Sequence, residues 1–348
     1  TRRSVKSFWT KRTNRRPIEF VLKSPRETAI EITEILDMKI VFMGTPDFSA
    51  IVLEKLNSVY PVSCVVTGLD KPTGRGYQLK PSPLKVKAQE LGIPVLQYEK
   101  VSREGLDDMR NLNPDVVVTA AFGQILSESF LAIPKFGVLN VHASLLPKYR
   151  GSSPIQWSII NGDEESGISV MRTVKAVDAG DVLLEKATPI GKKETAGELF
   201  DRLAILGGEA IVEAIGLLES GKATFTPQDE SKVSHCSMIS KEDGNVDFAK
   251  TAHQIDCFVR GMTPWPSAYT HVFGKTLKIF DVEKTDCECD IGGYDCGQVV
   301  KANAKEGLFV KVSDGVVRLK EIQLEGAKRM CDTAFLLGRS VEIGTKFE

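Results

Sequence analysis

Short apolar runs alternate with helical stretches over the first two thirds of the chain. Residues 39–42 form a short, largely apolar run that ends at Met43-Gly44-Thr45-Pro46-Asp47. This predicts a buried strand, a glycine turn and a helix from near Asp47, with Phe48, Ile51, Val52 and Leu56 at helical spacing. Residues 62–67, 115–121 (DVVVTAA) and 137–142 (GVLNVH) predict three more buried strands, and helical patterns at 84–91, 103–112 and 127–132 fall between them. Strands alternating with helices predict an α/β domain with a parallel, doubly wound sheet. A long amphipathic helix is expected over 195–218, with Leu199, Leu203, Leu206 and Ile211 near one face. After residue 219 the pattern changes. Residues 220–240 are polar and read as a linker, 247–260 as one short helix. The runs 268–272, 276–281, 298–301, 308–312 and 316–324 predict short strands of a small β domain, a barrel. The expected organisation is an extension (1–37), an α/β domain (38–219), a linker (220–240) and a β domain (241–348).

Charge alters the picture mainly at the N-terminus. The 348 residues carry 45 Lys and Arg against 46 Asp and Glu, a net charge of −1, which argues against a generally basic nucleic-acid binder but leaves room for a local patch. Residues 1–18 hold seven basic residues and no acidic one. No apolar stretch follows, so a secretory signal does not fit. A disordered basic arm, or an upstream extension before Met38, is favoured over an organelle transit peptide. That leaves a bacterial cytoplasmic enzyme as the expectation, with a mitochondrial or plastid matrix as the alternative. No apolar run reaches the ~18 residues of a membrane span. Seven cysteines, an odd number in a long chain, suit a reducing compartment. Cys287, Cys289 and Cys296 lack paired metal-ligand spacing and read as loop thiols, so no metal is expected.

Neither G-x-G-x-x-G nor a P-loop motif occurs, so dinucleotide and nucleotide-hydrolysis chemistry have no sequence handle. Of four histidines, His142 alone ends an apparent parallel strand, where ligands of open α/β sheets bind. Asn140 lies two residues earlier, on the same face. The pair reads either as a hydrogen-bonded core couple or as donors aimed at an oxygen that becomes negative during reaction. Asp178 in VDAGD supplies a carboxylate, with Asp181 as a rival. The Ser144–Pro154 stretch would wall a pocket. Between 71 and 87, Lys71, Arg75, Lys80, Lys85 and Lys87 occur with no acid, which suits a phosphate backbone or a solvated loop. Arg318, Lys320, Lys328 and Arg329 would extend that surface onto the β domain.

These residues together resemble the methionyl-tRNA formyltransferases, within the folate-dependent formyltransferases. The resemblance runs over 38–348, on MKIVFMGTPDFS (38–49), LNVHASLLPKYRGSSPIQWSIINGD (139–163), VDAGD (177–181), the loop 70–85 and MTPWPSAY (262–269). It implies a Rossmann-like formyltransferase domain followed by an OB-like β-barrel, in a monomer. It also implies formyl transfer from 10-formyltetrahydrofolate to the α-amino group of methionyl-initiator tRNA, without a metal. Asn140, His142 and Asp178 match the catalytic trio. Ser144, Leu145, Leu146 and Pro147 match the folate motif, with Phe122, Gly123 and Gln124 expected near the pterin. Arg75, with Lys71, Lys80 and Lys85, falls in the tRNA-contacting loop. The chain departs from the family pattern at Gly68-Leu69, Tyr77-Gln78 and Thr263. A formyltransferase acting on an amino-sugar nucleotide or other small amine is the alternative, and a binding protein without catalysis is a further one that the intact trio argues against.

Overall fold

The computed structural model describes residues 38–73, 78–285 and 291–348. The N-terminal extension, Arg75, Tyr77, Cys287 and Cys289 lie outside the described residues.

Five strands pair in parallel: β1 (Ile40–Gly44), β2 (Val62–Thr67), β3 (Val95–Gln97), β4 (Val116–Ala120) and β5 (Val138–His142). Their order is β3-β2-β1-β4-β5. Two strands that the apolar pattern did not predict, β6 (Glu165–Arg172) and β7 (Val182–Pro189), continue the sheet antiparallel beyond β5. The expectation of a wholly parallel sheet is therefore corrected. Residues 173–181 are too few for the crossover of a dozen or more residues that a parallel β6–β7 pair would need.

The helices that matter to the site are α1 (Asp47–Val59), α2 (Pro83–Glu90), α3 (Pro154–Ile160) and α4 (Ala196–Glu219). Along β1, Ile40 and Phe42 join one apolar cluster with α1 and α4, and Val41 and Met43 join another with Tyr98, Met109 and Phe130. This period-two division across a sheet buried on both faces is why the central strands read as continuous apolar runs. Helix α4 starts with a capping box of Thr195 and Glu198. The helical pattern at 103–112 is interrupted at Gly105, leaving Val101–Glu104 and Leu106–Leu112 as separate turns.

The turn after β1 fixes the ligand end of the sheet. A Cβ on Gly44 would lie 2.5 Å from Ser49 Oγ and 2.6 Å from the Ala120 carbonyl, so only glycine allows this approach. Ser49 Oγ accepts from Thr45 N at 3.0 Å and donates to Ala120 O at 2.7 Å. The end of β1 is thereby tied to the end of β4. Because the chain returns from β3 across β1 to β4, this is the switch point of the sheet, where a crevice opens beyond the strand ends.

The C-terminal part is a β domain with its own core. Its strands β8 (Ala268–Val272), β9 (Lys275–Thr285), β10 (Val299–Asn303), β11 (Gly307–Val312) and β12 (Gly315–Leu324) run antiparallel in the order β8-β9-β12-β11-β10. The C-terminal tail reaches both edge strands: His271 and Glu348 exchange backbone hydrogen bonds on β8, while Val299 N on β10 donates to Thr345 O at 2.9 Å. Helix α5 (Ala252–Met262) packs on this sheet. It starts later than the expected residue 247 because Thr251 and Gln254 form its capping box. Asp247 instead accepts from Ala249 N, a local turn that competes with helix.

The two cores meet through α3. Ile155 and Ile159 enter the first, and Trp157 and Ile160 pack against the second. Beside them Asp256 pairs with Lys193 at 2.7 Å and with Arg260 at 2.8 Å, and Arg260 also donates to the Glu194 carbonyl. Gly197 N at the start of α4 donates to Thr263 O. Among the described residues no helix is long and apolar enough to cross a membrane.

Candidate active site

Asn140 and His142 leave the C-terminal end of β5 on one face, as the period of two requires. Asn140 sits directly beside Thr119 of β4, whose hydroxyl donates to Asn140 Oδ1 at 2.9 Å. That bond fixes the amide, so its Nδ2 hydrogens face outward as donors. His142 is buried, and its Nε2 lies 2.9 Å from the Tyr149 carbonyl. A carbonyl only accepts, so Nε2 carries a hydrogen and Nδ1 faces the crevice. There Nδ1 stands 3.7 Å from Asp178 Oδ2. The structure thus brings Asn140, His142 and Asp178 together.

Asp178 is reached by an unusual backbone. Its φ of 50° lies in the left-handed region, which residues other than glycine seldom adopt. Its Oδ2 accepts from Gly151 N at 2.9 Å. Gly180 must be glycine, because a Cβ there would lie 1.8 Å from the Arg172 carbonyl. The backbone carbonyl of the rival Asp181 accepts from Arg172 N.

The 144–147 loop follows directly on His142. Ser144 Oγ donates to the Lys148 carbonyl at 2.7 Å, and Leu146 N donates to Ser169 Oγ at 2.9 Å. Leu145 lies against Gly167, whose missing side chain leaves room for it. Pro147 O accepts from Ser234 N at 3.2 Å. Opposite, beyond β4, the Phe122 side chain belongs to the second apolar cluster of the sheet. The Gln124 amide is engaged with Val101 N at 2.9 Å and the Tyr98 carbonyl at 3.3 Å. Gly123, at φ 74°, has open space where a Cβ would stand.

The basic run forms a two-stranded hairpin, Lys71–Thr73 with Gln78–Lys80. Lys71 and Lys80 are directly opposite one another and both exposed. Lys85 is placed differently. Its Nζ donates to both Asp70 oxygens at 2.9 and 2.7 Å and to Gln97 Oε1 at 2.8 Å. Hydrogen bonds from Lys85 and Gln97 hold the Asp70 carboxyl below its usual value. Lys87 pairs with Glu54 and Glu90.

Several residues that serve the site were not among the candidates drawn from the sequence. Thr119 orients Asn140, Ser169 holds the 144–147 loop, and the Tyr149 carbonyl anchors His142. Tyr149, at φ 60°, is itself pinned: its hydroxyl donates to Asp163 at 2.8 Å and accepts from Asn161, and burial, then Asp163, pushes that phenol up to about 12. Only Thr119 carries a signal, as a polar residue in the apolar run of β4. Among the described residues no group of His, Cys, Asp or Glu is placed to hold a metal ion.

Two family models match the chain, one described as formyl transferase over residues 38–215, the other as formyl transferase, C-terminal domain, over 238–340. A methionyl-tRNA formyltransferase of Agathobacter rectalis is 43% identical over 312 residues, 89% of this chain and 99% of that protein. One from Geobacter metallireducens is 45% identical over 311 residues, 89% of this chain and 98% of that protein. Among solved structures, an N-formyltransferase from Helicobacter canadensis, in complex with folinic acid and dTDP-3-aminofucose, superposes with a TM-score of 0.62 at 19% identity, over 84% of this chain and 100% of that one.

Proposed function

The chain belongs to the formyl transferase family, and we propose that it transfers a formyl group from 10-formyltetrahydrofolate to the α-amino group of methionyl-initiator tRNA, for translation initiation. The convergence of Asn140, His142 and Asp178 at the ends of the parallel strands carries this reading. The methionyl-tRNA formyltransferases that cover nearly all of their length on this chain support the acceptor.

Each residue then has a role. Asn140 Nδ2 and His142 Nδ1 donate to the formyl oxygen as the amine nitrogen adds to its carbon and that oxygen becomes negative. Since Nε2 is tied to the Tyr149 carbonyl, donation from Nδ1 requires the imidazolium, whose charge the Asp178 carboxylate balances. One such donor lowers the barrier by about 3–4 kcal/mol. Asp178 also receives the proton that the amine loses, and that proton is passed on to the leaving N10 nitrogen as its bond to the formyl carbon breaks. The 144–147 loop and the open face of Gly123 are the surfaces we assign to the folate, with Phe122 and Gln124 holding that segment in place.

Lys71 and Lys80 support a polyanionic acceptor. Like charges directly opposite on a hairpin are unfavourable by themselves, and a phosphate between them relieves the repulsion. Arg75 belongs to the same loop, and Lys85 enters our reading as the base of the hairpin. We take 38–219 as the catalytic domain, 220–240 as the connection and 241–348 as an OB-like tRNA-binding domain, whose edge strands are joined through the C-terminal tail. The enzyme on this reading is a cytoplasmic monomer.

Transfer of labelled formyl from 10-formyltetrahydrofolate, offered methionyl-initiator tRNA and free small amines, tests the function. Label in acid-precipitable aminoacyl-tRNA is the expected result. Label only in a small amine would move the enzyme to another branch, and none in either would overturn the reading.

A further inference from the structure

The segment between the two domains is built into the active site. Thr226 and Val182 exchange backbone hydrogen bonds at 2.9 and 2.8 Å, beside the end of the Asp178 loop. Residues 235–236 pair in parallel with Arg150–Gly151, the other loop that touches Asp178. Between these two anchors lies Gln228. Its Nε2 donates to the carbonyls of Asp178 and Gly180, both at 2.8 Å, while its Oε1 accepts from Arg150 Nε at 2.9 Å. The orientation of this amide is self-determined, because a flip would face oxygen to two carbonyls and NH2 to a guanidinium. Arg150 is itself held. It is 6% exposed, its Nη2 lies 2.8 Å from Glu230 Oε1, and its backbone N donates to Ser234 O.

Asp178 is therefore gripped at both ends. The neighbour of Arg150 holds the carboxylate through Gly151 N, and Gln228 holds the carbonyl. The left-handed φ of Asp178 is a conformation an isolated aspartate would leave, at a cost to be met by its surroundings. No other side chain among the described residues binds the Asp178 carbonyl. We propose that Gln228 is a positioning residue for the reaction: it holds the left-handed turn that aims the Asp178 carboxylate at His142. The inference rests on the role given to Asp178 above. It makes the polar segment after α4 a working part of the site, and it means that the catalytic carboxylate is held by the stretch of chain that leads into the tRNA-binding domain.

The test is a double-mutant cycle in the full chain, Gln228→Ala and Asp178→Asn, read by single-turnover formyl transfer to methionyl-tRNA. Gln228→Ala is expected to lower the transfer rate by about tenfold to a hundredfold, the effect of a misplacement near 1 Å, while the KM for either substrate changes by less than about threefold. In the Asp178→Asn background the same change should cost less than about twofold, because the group it positions no longer acts. Gln228→Glu keeps the volume and the acceptor for Arg150 but loses both N–H donors, so it should fall at least as far. It also serves if the alanine variant does not fold. A rate within about twofold of the parent for both variants would overturn the proposal, as would a full, additive loss in the Asp178→Asn background. Absence of transfer by the parent protein would overturn the functional reading itself, which separates the two failures.

Discussion

Replacing Asn140 with alanine removes one donor from the crevice and leaves the fold almost untouched. The amide makes one bond within the protein, accepting from Thr119 Oγ1 at 2.9 Å. Thr119 does not become an orphan when it goes, because its hydroxyl has the Leu139 carbonyl in reach at 3.3 Å. The loss of stability should therefore stay within about 1 kcal/mol, the net worth of an ordinary hydrogen bond. The transition state loses much more. An oxyanion donor in a preorganised site is worth about 3–4 kcal/mol, so the rate of transfer should drop by about 10² to 10³. Single-turnover transfer at saturating folate, alongside a thermal melt, measures both quantities on one preparation. Thr119→Val provides the internal control. It frees the amide to rotate, should lower the rate by about tenfold, and should have no effect once Asn140 is gone. A rate reduced less than about fivefold by Asn140→Ala, or a raised KM with kcat unchanged, would refute the assignment of this amide to the developing negative charge.

Other expectations concern the surroundings. Lys80→Ala should weaken tRNA binding and flatten the plot of log affinity against log salt by about one. Lys85→Met should leave that slope unchanged, because its charge already goes to Asp70; equal slopes for the two variants would count against the distinction. Gly151→Ala should lower the melting temperature and the transfer rate together, since a Cβ there would lie 2.1 Å from the Cys236 carbonyl; overpacking of this kind costs about 1–3 kcal/mol. In the β domain, Asp332 is fully buried and accepts from Arg318 Nε at 2.7 Å and from Leu308 N at 2.9 Å. Asp332→Ala should cost about 3 kcal/mol in urea unfolding, toward the low end for a broken buried pair because Arg318 retains some access to water.

Much of the catalytic half was legible in the sequence, for a physical reason. Strands buried on both faces are apolar at most positions, so β1, β2, β4 and β5 stand out as runs. Strands β6 and β7 lack such a run, because Glu165–Arg172 carries two serines and a glycine, and Val182–Pro189 alternates exposed and half-buried positions at the sheet edge. His142 and Asn140 were visible from their place at a strand end and from the period of two. The choice between Asp178 and Asp181 was not, because it depends on a left-handed backbone and on Gly151 from another loop. Nor could charge counting place Lys85, whose partner Asp70 stands fifteen residues away across the base of the hairpin. Gln228 looked like any polar residue of a connecting segment, since its partners are carbonyl groups and carbonyl groups leave no trace in composition.

The shared helix α3 and the ion pairs around Asp256 have a consequence for how a large ligand is held. A molecule that touches the hairpin of one domain and the strands of the other meets two contact regions whose separation is already set. Once the first is engaged, the second binds as an intramolecular event, with a local concentration fixed by the protein rather than by the solution. The two contacts then multiply in affinity instead of adding, and a fragment that reaches only one of them forfeits that gain whatever its own complementarity.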